Sequence, residues 1–277
     1  MMGTDKVIGI AGCGNMGLPM GQQLRKQGFD VWGFDVRPVE EFDDFQDRMI
    51  TDPAEFAERV DILFSVVRDI PQTEDLLFDK QALYTHPNAP KTLLISSTIS
   101  PRFLASIKGS LPDDILLMDA PMSGTGFRAV EGKLTFMVGG PEPIFHDLLP
   151  AFQAMGEDIH YLGPTGAGLT CKVVNNFVAA SNIIAVRNAL ESTDVLGVDR
   201  DTILKVISSS SGNNWYAQHF EDIDWSRQGY DPANTMGIIK KDVASYLDAI
   251  TDLGGKDISE FEQLVHAQMG LVKDISR

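Results

Sequence analysis

Gly12-Cys13-Gly14-Asn15-Met16-Gly17 forms a G-x-G-x-x-G run. In such a run the first glycine permits a tight turn, the second lets backbone N–H groups approach a pyrophosphate, and the third lets a helix pack closely on a strand. Gly12, Gly14, Asn15, Met16 and Gly17 are therefore a candidate phosphate-binding loop. Asp35 lies where an acidic residue about 20 positions on can accept hydrogen bonds from ribose hydroxyls and repel a 2′-phosphate. Arg37, two residues later, offers the opposite: a guanidinium able to receive that phosphate. The pair favours NAD and leaves NADP open.

Two further stretches carry polar groups in a telling arrangement. Asp119-Ala120-Pro121-Met122-Ser123-Gly124 leaves the end of a predicted strand, where open α/β sheets place ligands, and Ser123 with the amides near Gly124 suits a carboxylate. Taken alone this is an ordinary turn. Gly163-Pro164-Thr165-Gly166-Ala167-Gly168 precedes Lys172, Asn175 and Asn176, and a spacing of four puts Lys172 and Asn176 on one helix face. In apolar surroundings a lysine and an amide need partners, so they are either a buried structural pair or a site.

These residues are positioned by two kinds of chain. Strands over 7–11, 31–35, 62–67, 93–96 and 115–119 alternate with helices over 16–27, 54–59 and 72–78, the pattern of a parallel sheet covered on both faces. A strand over 134–138, a helix over 144–155 and a last strand over 158–162 near the sheet edge complete it. Beyond Gly163 the pattern is helical, with a long apolar helix over 169–196. The fold class is α/β: a Rossmann-type domain over 1–163, then an all-α substrate and dimerisation domain over 164–277. Apolar residues on several faces of the long helix suggest a central position in a helical domain and also a subunit interface, and the expected assembly is a homodimer or homotetramer.

The formal charge of −16 disfavours nucleic acid and anionic membrane surfaces, so neither is expected as a partner. An anionic cofactor must then be held by local donors such as a helix N-terminus. The two cysteines, Cys13 and Cys171, fit no metal-ligand pattern and read as small hydrophobes; no metal is expected. With no disulfide framework, and a first apolar stretch too short for a signal core, the expected location is the cytoplasm.

Together, and in this order, the four segments resemble the β-hydroxyacid dehydrogenase family: a glycine loop, D-A-P-x-S-G, G-x-x-G-x-G-x-x-x-K-x-x-N-N, and the late pair Lys241-Asp242. The resemblance implies hydride transfer between NAD(P) and a small 3-hydroxyacid held between the domains. Lys172 would be the general acid/base, Ser123 and Gly124 would hold the carboxylate, and Asn176 would orient the substrate. Lys241 would reach toward cofactor and substrate, Val66 and Val67 would line the cofactor groove, and Thr98, or Ser97 beside it, would lie near the nicotinamide. Trp215 stands where some members place a tryptophan near the substrate, or else in the helical core. Thr125 replaces a glycine, Arg128 replaces another and is a candidate carboxylate donor, and Asn234 stands where an aromatic residue is common. The rival readings are an imine reductase-like enzyme, which Lys172 disfavours, and a catalytically silent NAD(P)-binding module.

Overall fold

The computed structural model describes residues 6–254 and 256–275. Its chain divides into two compact units, Met1–Lys172 and Val173–Arg277.

The first unit is built on a six-stranded parallel sheet of β1 (Ile8–Ala11), β2 (Val31–Phe34), β3 (Met49–Ile50), β4 (Ile62–Ser65), β5 (Thr92–Ile95) and β6 (Leu116–Asp119), in the order β3-β2-β1-β4-β5-β6. Side chains alternate across a strand, so each strand feeds two cores. Ile8, Ile10, Phe64 and Leu94 pack with Met20 and Leu24 of α1 (Gly17–Lys26). Ala11, Leu63, Leu93 and Ile95 pack instead with Phe56 of α2 (Pro53–Arg59), Leu76 of α3 (Ile70–Leu77) and Leu104 of α4 (Pro101–Ser110). Helices α2 and α3 start where their prolines and caps dictate: Asp52 accepts from the Glu55 amide at 2.8 Å and Asp69 from the Gln72 amide at 3.0 Å.

The later strands do not extend this sheet, contrary to the expectation for 134–138 and 158–162. β7 (Met122–Ser123), β8 (Leu134–Val138) and β9 (Gly156–Tyr161) form a separate three-stranded sheet, with β7 antiparallel and β9 parallel to β8. Between them run α5 (Gly126–Val130) and α6 (Glu142–Met155). Hydrophobic patterning identifies β8 and β9 but does not say which sheet they join, and the two-residue β3 and β7 carry too few residues to show a period.

α7 (Ala167–Leu196) begins in the first unit and continues into the second, so the boundary between the units falls within a helix. It is long and apolar enough to cross a membrane by length and composition. Its Ala180, Ile183, Val186 and Leu190 are buried in the helical core, the arrangement of a bundle's central helix. The second unit adds α8 (Arg200–Ser209), α9 (Trp215–Gln218), α10 (Thr235–Gly254) and α11 (Glu260–Met269). The buried Arg187 guanidinium donates to the Tyr216 hydroxyl at 3.2 Å, to the Ser226 carbonyl at 2.5 Å and to the Lys273 carbonyl. Glu262 is similarly buried and accepts from Tyr246, Lys256 and Ser259.

Candidate active site

Gly12 leaves β1 with φ +93°, a conformation that a side chain disfavours, and a Cβ there would come within 2.8 Å of the Val66 carbonyl oxygen. At Gly17 a Cβ would overlap the Gly12 carbonyl oxygen, so this glycine lets α1 start directly under the loop. Gly14 differs: a Cβ there would meet nothing within 4 Å. Met16, the N-cap of α1, provides no side-chain acceptor, and the helix has no acidic residue in its first turn. Open space over Gly14 and the lack of a side-chain cap on α1 fit an anionic pyrophosphate.

Asp35 follows β2 and is tied back into the loop. Its Oδ2 accepts the Cys13 amide at 2.8 Å, and Arg37 Nε donates to Oδ1 at 3.1 Å. Arg37 also donates to the Cys13 carbonyl at 2.8 Å, lies over the Phe42 ring at 4.8 Å, and has its guanidinium pushed further toward the charged form by Asp35. Asp35 and Arg37 thus form one ion pair. Cys13 is buried, and burial with the neighbouring Asp35 charge pushes its thiol up to about 12, so it is a core residue rather than a nucleophile. Cys171 is half-buried.

Val66 and Val67 lie just past β4, and Val66 donates its amide to Ala11 at 2.7 Å across the strand ends. The Ser97 hydroxyl donates to the Val67 carbonyl at 2.6 Å, so this serine braces the loop, while Thr98 beside it is half-buried.

Ser123 ends β7 half-buried, and Gly124 has φ +136°. Arg128 on α5 directs Nε to the Lys133 carbonyl at 2.9 Å and Nη2 to Glu157 at 3.6 Å. Thr125, where the resemblance has glycine, has a buried hydroxyl oxygen without a hydrogen-bond partner.

Lys172 stands on α7 with 8% of its surface exposed; among the described residues it is the one buried lysine. Asn176 is one turn further along that helix. In the second unit Asn176 Nδ2 donates to Asp242 Oδ2 at 2.6 Å and Lys241 Nζ to Asp242 Oδ1 at 2.7 Å. Asp242 is buried and bridges two candidate residues, a role its sequence position beside Lys241 did not disclose. Trp215 opens α9 with 44% of its surface exposed, outside the core, and its ring meets His219 at 5.2 Å. Asn234 caps α10, its Oδ1 accepting the Met236 amide at 2.9 Å and its Nδ2 donating to the Gly229 carbonyl at 2.8 Å. An aromatic residue would leave those groups unpaired.

A Rossmann sheet, a glycine loop under α1 and an acidic residue after β2 define a dinucleotide-binding domain. Residues 7–163 match the NAD-binding domain of 6-phosphogluconate dehydrogenase, and residues 166–269 match the NAD-binding domain of NADP-dependent 3-hydroxyisobutyrate dehydrogenase. L-threonate dehydrogenase from Cupriavidus necator is 32% identical over 247 residues, 87% of this chain and 82% of the relative. Human mitochondrial 3-hydroxyisobutyrate dehydrogenase is 30% identical over 82% of this chain and 68% of its own length. The structure of Mycobacterium tuberculosis 3-hydroxyisobutyrate dehydrogenase with L-serine superposes with a TM-score of 0.76 at 25% identity, covering 98% of this chain and 94% of that one. The chain belongs to the β-hydroxyacid dehydrogenase family, whose members are NAD(P)-dependent hydroxyacid dehydrogenases.

Proposed function

We infer that the chain reversibly oxidises a small 3-hydroxyacid, of the size of 3-hydroxyisobutyrate or L-threonate, with Lys172 as the proton-transfer group. The observation that carries this reading is the burial of Lys172 on α7, because a lysine is seldom withdrawn from water without a task or a partner. A nicotinamide dinucleotide, held by the Gly12–Gly17 loop and Asp35, would supply the redox chemistry as hydride acceptor or donor.

The protein supplies binding, orientation and proton transfer. Ser123 and the amides around Gly124 hold the substrate carboxylate. The hydroxyl oxygen gives its proton to Lys172 Nζ as its carbon becomes a carbonyl, and in the reverse direction Lys172 returns that proton. Asn176, its amide orientation set by Asp242, keeps the hydroxyl in reach.

Activity with NAD and NADP is measured on 3-hydroxyisobutyrate, L-threonate, serine, glycerate and 4-hydroxybutyrate by reduced-cofactor absorbance. Positioned proton transfer contributes roughly 10²- to 10⁴-fold, so Lys172→Ala should lose at least about a hundredfold in kcat while still binding NADH. In the wild type, oxidation should speed up as pH rises and the lysine deprotonates. A folded Lys172→Ala protein with near-normal kcat would assign the lysine a structural role. Cofactor binding without turnover of any acid would favour a silent binding module.

A further inference from the structure

Asp119 is fully buried at the end of β6, and its carboxylate is committed at both oxygens. Oδ1 accepts the Gly166 amide and Oδ2 the Leu169 amide, both at 2.6 Å. Leu169 lies in the first turn of α7, whose free amides ordinarily find an acceptor on the residue just before the helix. Gly166 occupies that place here and has no side chain, so the cap is imported from a strand 47 residues earlier in the chain.

The surroundings fix the carboxylate from every side. Asp119 and Gly139 exchange main-chain hydrogen bonds of 3.0 and 2.8 Å, and the next residue, Ala120, donates to the Ile95 carbonyl at 2.8 Å. A Cβ at Gly168 would come within 2.9 Å of Oδ2, and one at Gly139 would collide with Oδ1. Thr165 donates its hydroxyl to the Leu117 carbonyl at 2.9 Å, pinning the same turn to the same strand.

An ionised carboxylate withdrawn from water carries a desolvation cost: burial pushes Asp119 up to about 6 even though the amides pull it down. A local serine or asparagine would cap α7 without that cost. What the remote carboxylate adds is register. Asp119 leads directly into Ala120-Pro121-Met122-Ser123, while the helix turn it holds leads, three residues after Leu169, to Lys172.

We propose that Asp119 is a positioning residue for the reaction: its carboxylate fixes the helix turn bearing Lys172 to the strand end bearing the Ser123 loop, and so sets where proton transfer can occur. This rests on Lys172 being the proton-transfer group. Misplacement by about 1 Å can cost on the order of 10²-fold in rate. Asparagine keeps one acceptor oxygen for one amide and turns an NH₂ toward the other, so Asp119→Asn disturbs the clamp while preserving shape.

The test is a cycle of wild type, Asp119→Asn, Lys172→Ala and the double variant, with kcat expressed per NADH-binding site titrated by fluorescence. Asp119→Asn should lower kcat by roughly 10- to 100-fold, with NADH affinity within about twofold of wild type. In the Lys172→Ala background it should cost nothing more than about twofold, because the residue acts through the lysine. Two losses that multiply would overturn the proposal while leaving the lysine reading intact. A normal kcat in Lys172→Ala would instead remove that reading and the proposal with it. Should Asp119→Asn not fold, Thr165→Val loosens the same turn and should show a smaller kcat loss that likewise vanishes without Lys172. Unchanged kcat per site in the folded variant used overturns the proposal.

Discussion

Replacing Arg37 with alanine separates its two possible duties, holding Asp35 and receiving a 2′-phosphate. In the structure Arg37 Nε lies 3.1 Å from Asp35 Oδ1, with 43% of the arginine side chain and 10% of the aspartate side chain exposed. A 2′-phosphate brought near Asp35 meets a like charge. Two unit charges about 4 Å apart interact by about 1 kcal/mol in water and about 4 kcal/mol at an effective dielectric of about 20. The half-exposed arginine places this pair near the lower value, about 1–2 kcal/mol, which Arg37 offsets when it is present. Removing it should therefore depress kcat/KM for NADP by roughly 5- to 30-fold relative to NAD. The NAD value should change little, because Asp35 keeps its 2.8 Å bond from the Cys13 amide and faces the ribose unopposed. The wild type itself should prefer NAD. Steady-state kinetics with both cofactors at one ionic strength decide the matter. Equal losses with NAD and NADP would show that Arg37 works by bracing the loop through the Cys13 carbonyl, and the electrostatic argument would fail.

Gly14→Ala should leave the thermal midpoint unchanged, since the added methyl meets nothing within 4 Å, yet weaken NADH binding about tenfold or more by filling the space for the pyrophosphate; an unchanged Kd in a fluorescence titration would move the phosphate site elsewhere. Glu262 is held down to about 2, first by its hydrogen bond from Lys256 and then by Ser259 and Tyr246. A folded value below the unfolded value of about 4.3 means that its stabilisation is present above pH ~4.3 and lost as pH falls through about 2. Denaturant titrations should accordingly show Glu262→Gln less stable than wild type at pH 7, with the gap closing between pH 5 and 2; a gap independent of pH would contradict the assignment.

Much of this arrangement was legible in the residues, for identifiable reasons. The turn at Gly12 and the packing at Gly17 are demands of backbone geometry that only one residue type meets, so they survive in the sequence as a fixed spacing. Strands β1, β2, β4, β5 and β6 are buried on both faces and show as short apolar runs. What the sequence concealed are partnerships between distant segments. Nothing local to Asp119 announces that its acceptors serve amides at positions 166 and 169, and nothing local to Asp242 announces that it holds Asn176. Likewise Asn234 looks like a departure in a substrate pocket, whereas its side chain starts α10. The second sheet was hidden for the same reason, since β8 chooses β7 and β9 over the edge of the parallel sheet through pairing that no single strand encodes.

The buried Arg187 has a bearing on how the chain acquires its shape during synthesis. Its acceptors are the Tyr216 hydroxyl and the main-chain oxygens of Ser226 and Lys273, and Val272 and Ile275 pack on the same helical core. The middle of α7 thus emerges from the ribosome well before the oxygens that receive its guanidinium and the side chains that close over it. At roughly 5–20 residues per second, the 86 residues from Arg187 to Lys273 take about 4–17 s to make. During that interval the parallel sheet has all its strands and can fold, while the apolar flank of the helix stays wet. The apolar flank of α7 is therefore open to aggregation or chaperone capture until the C-terminal residues arrive, and slowing translation between them would lengthen that exposure.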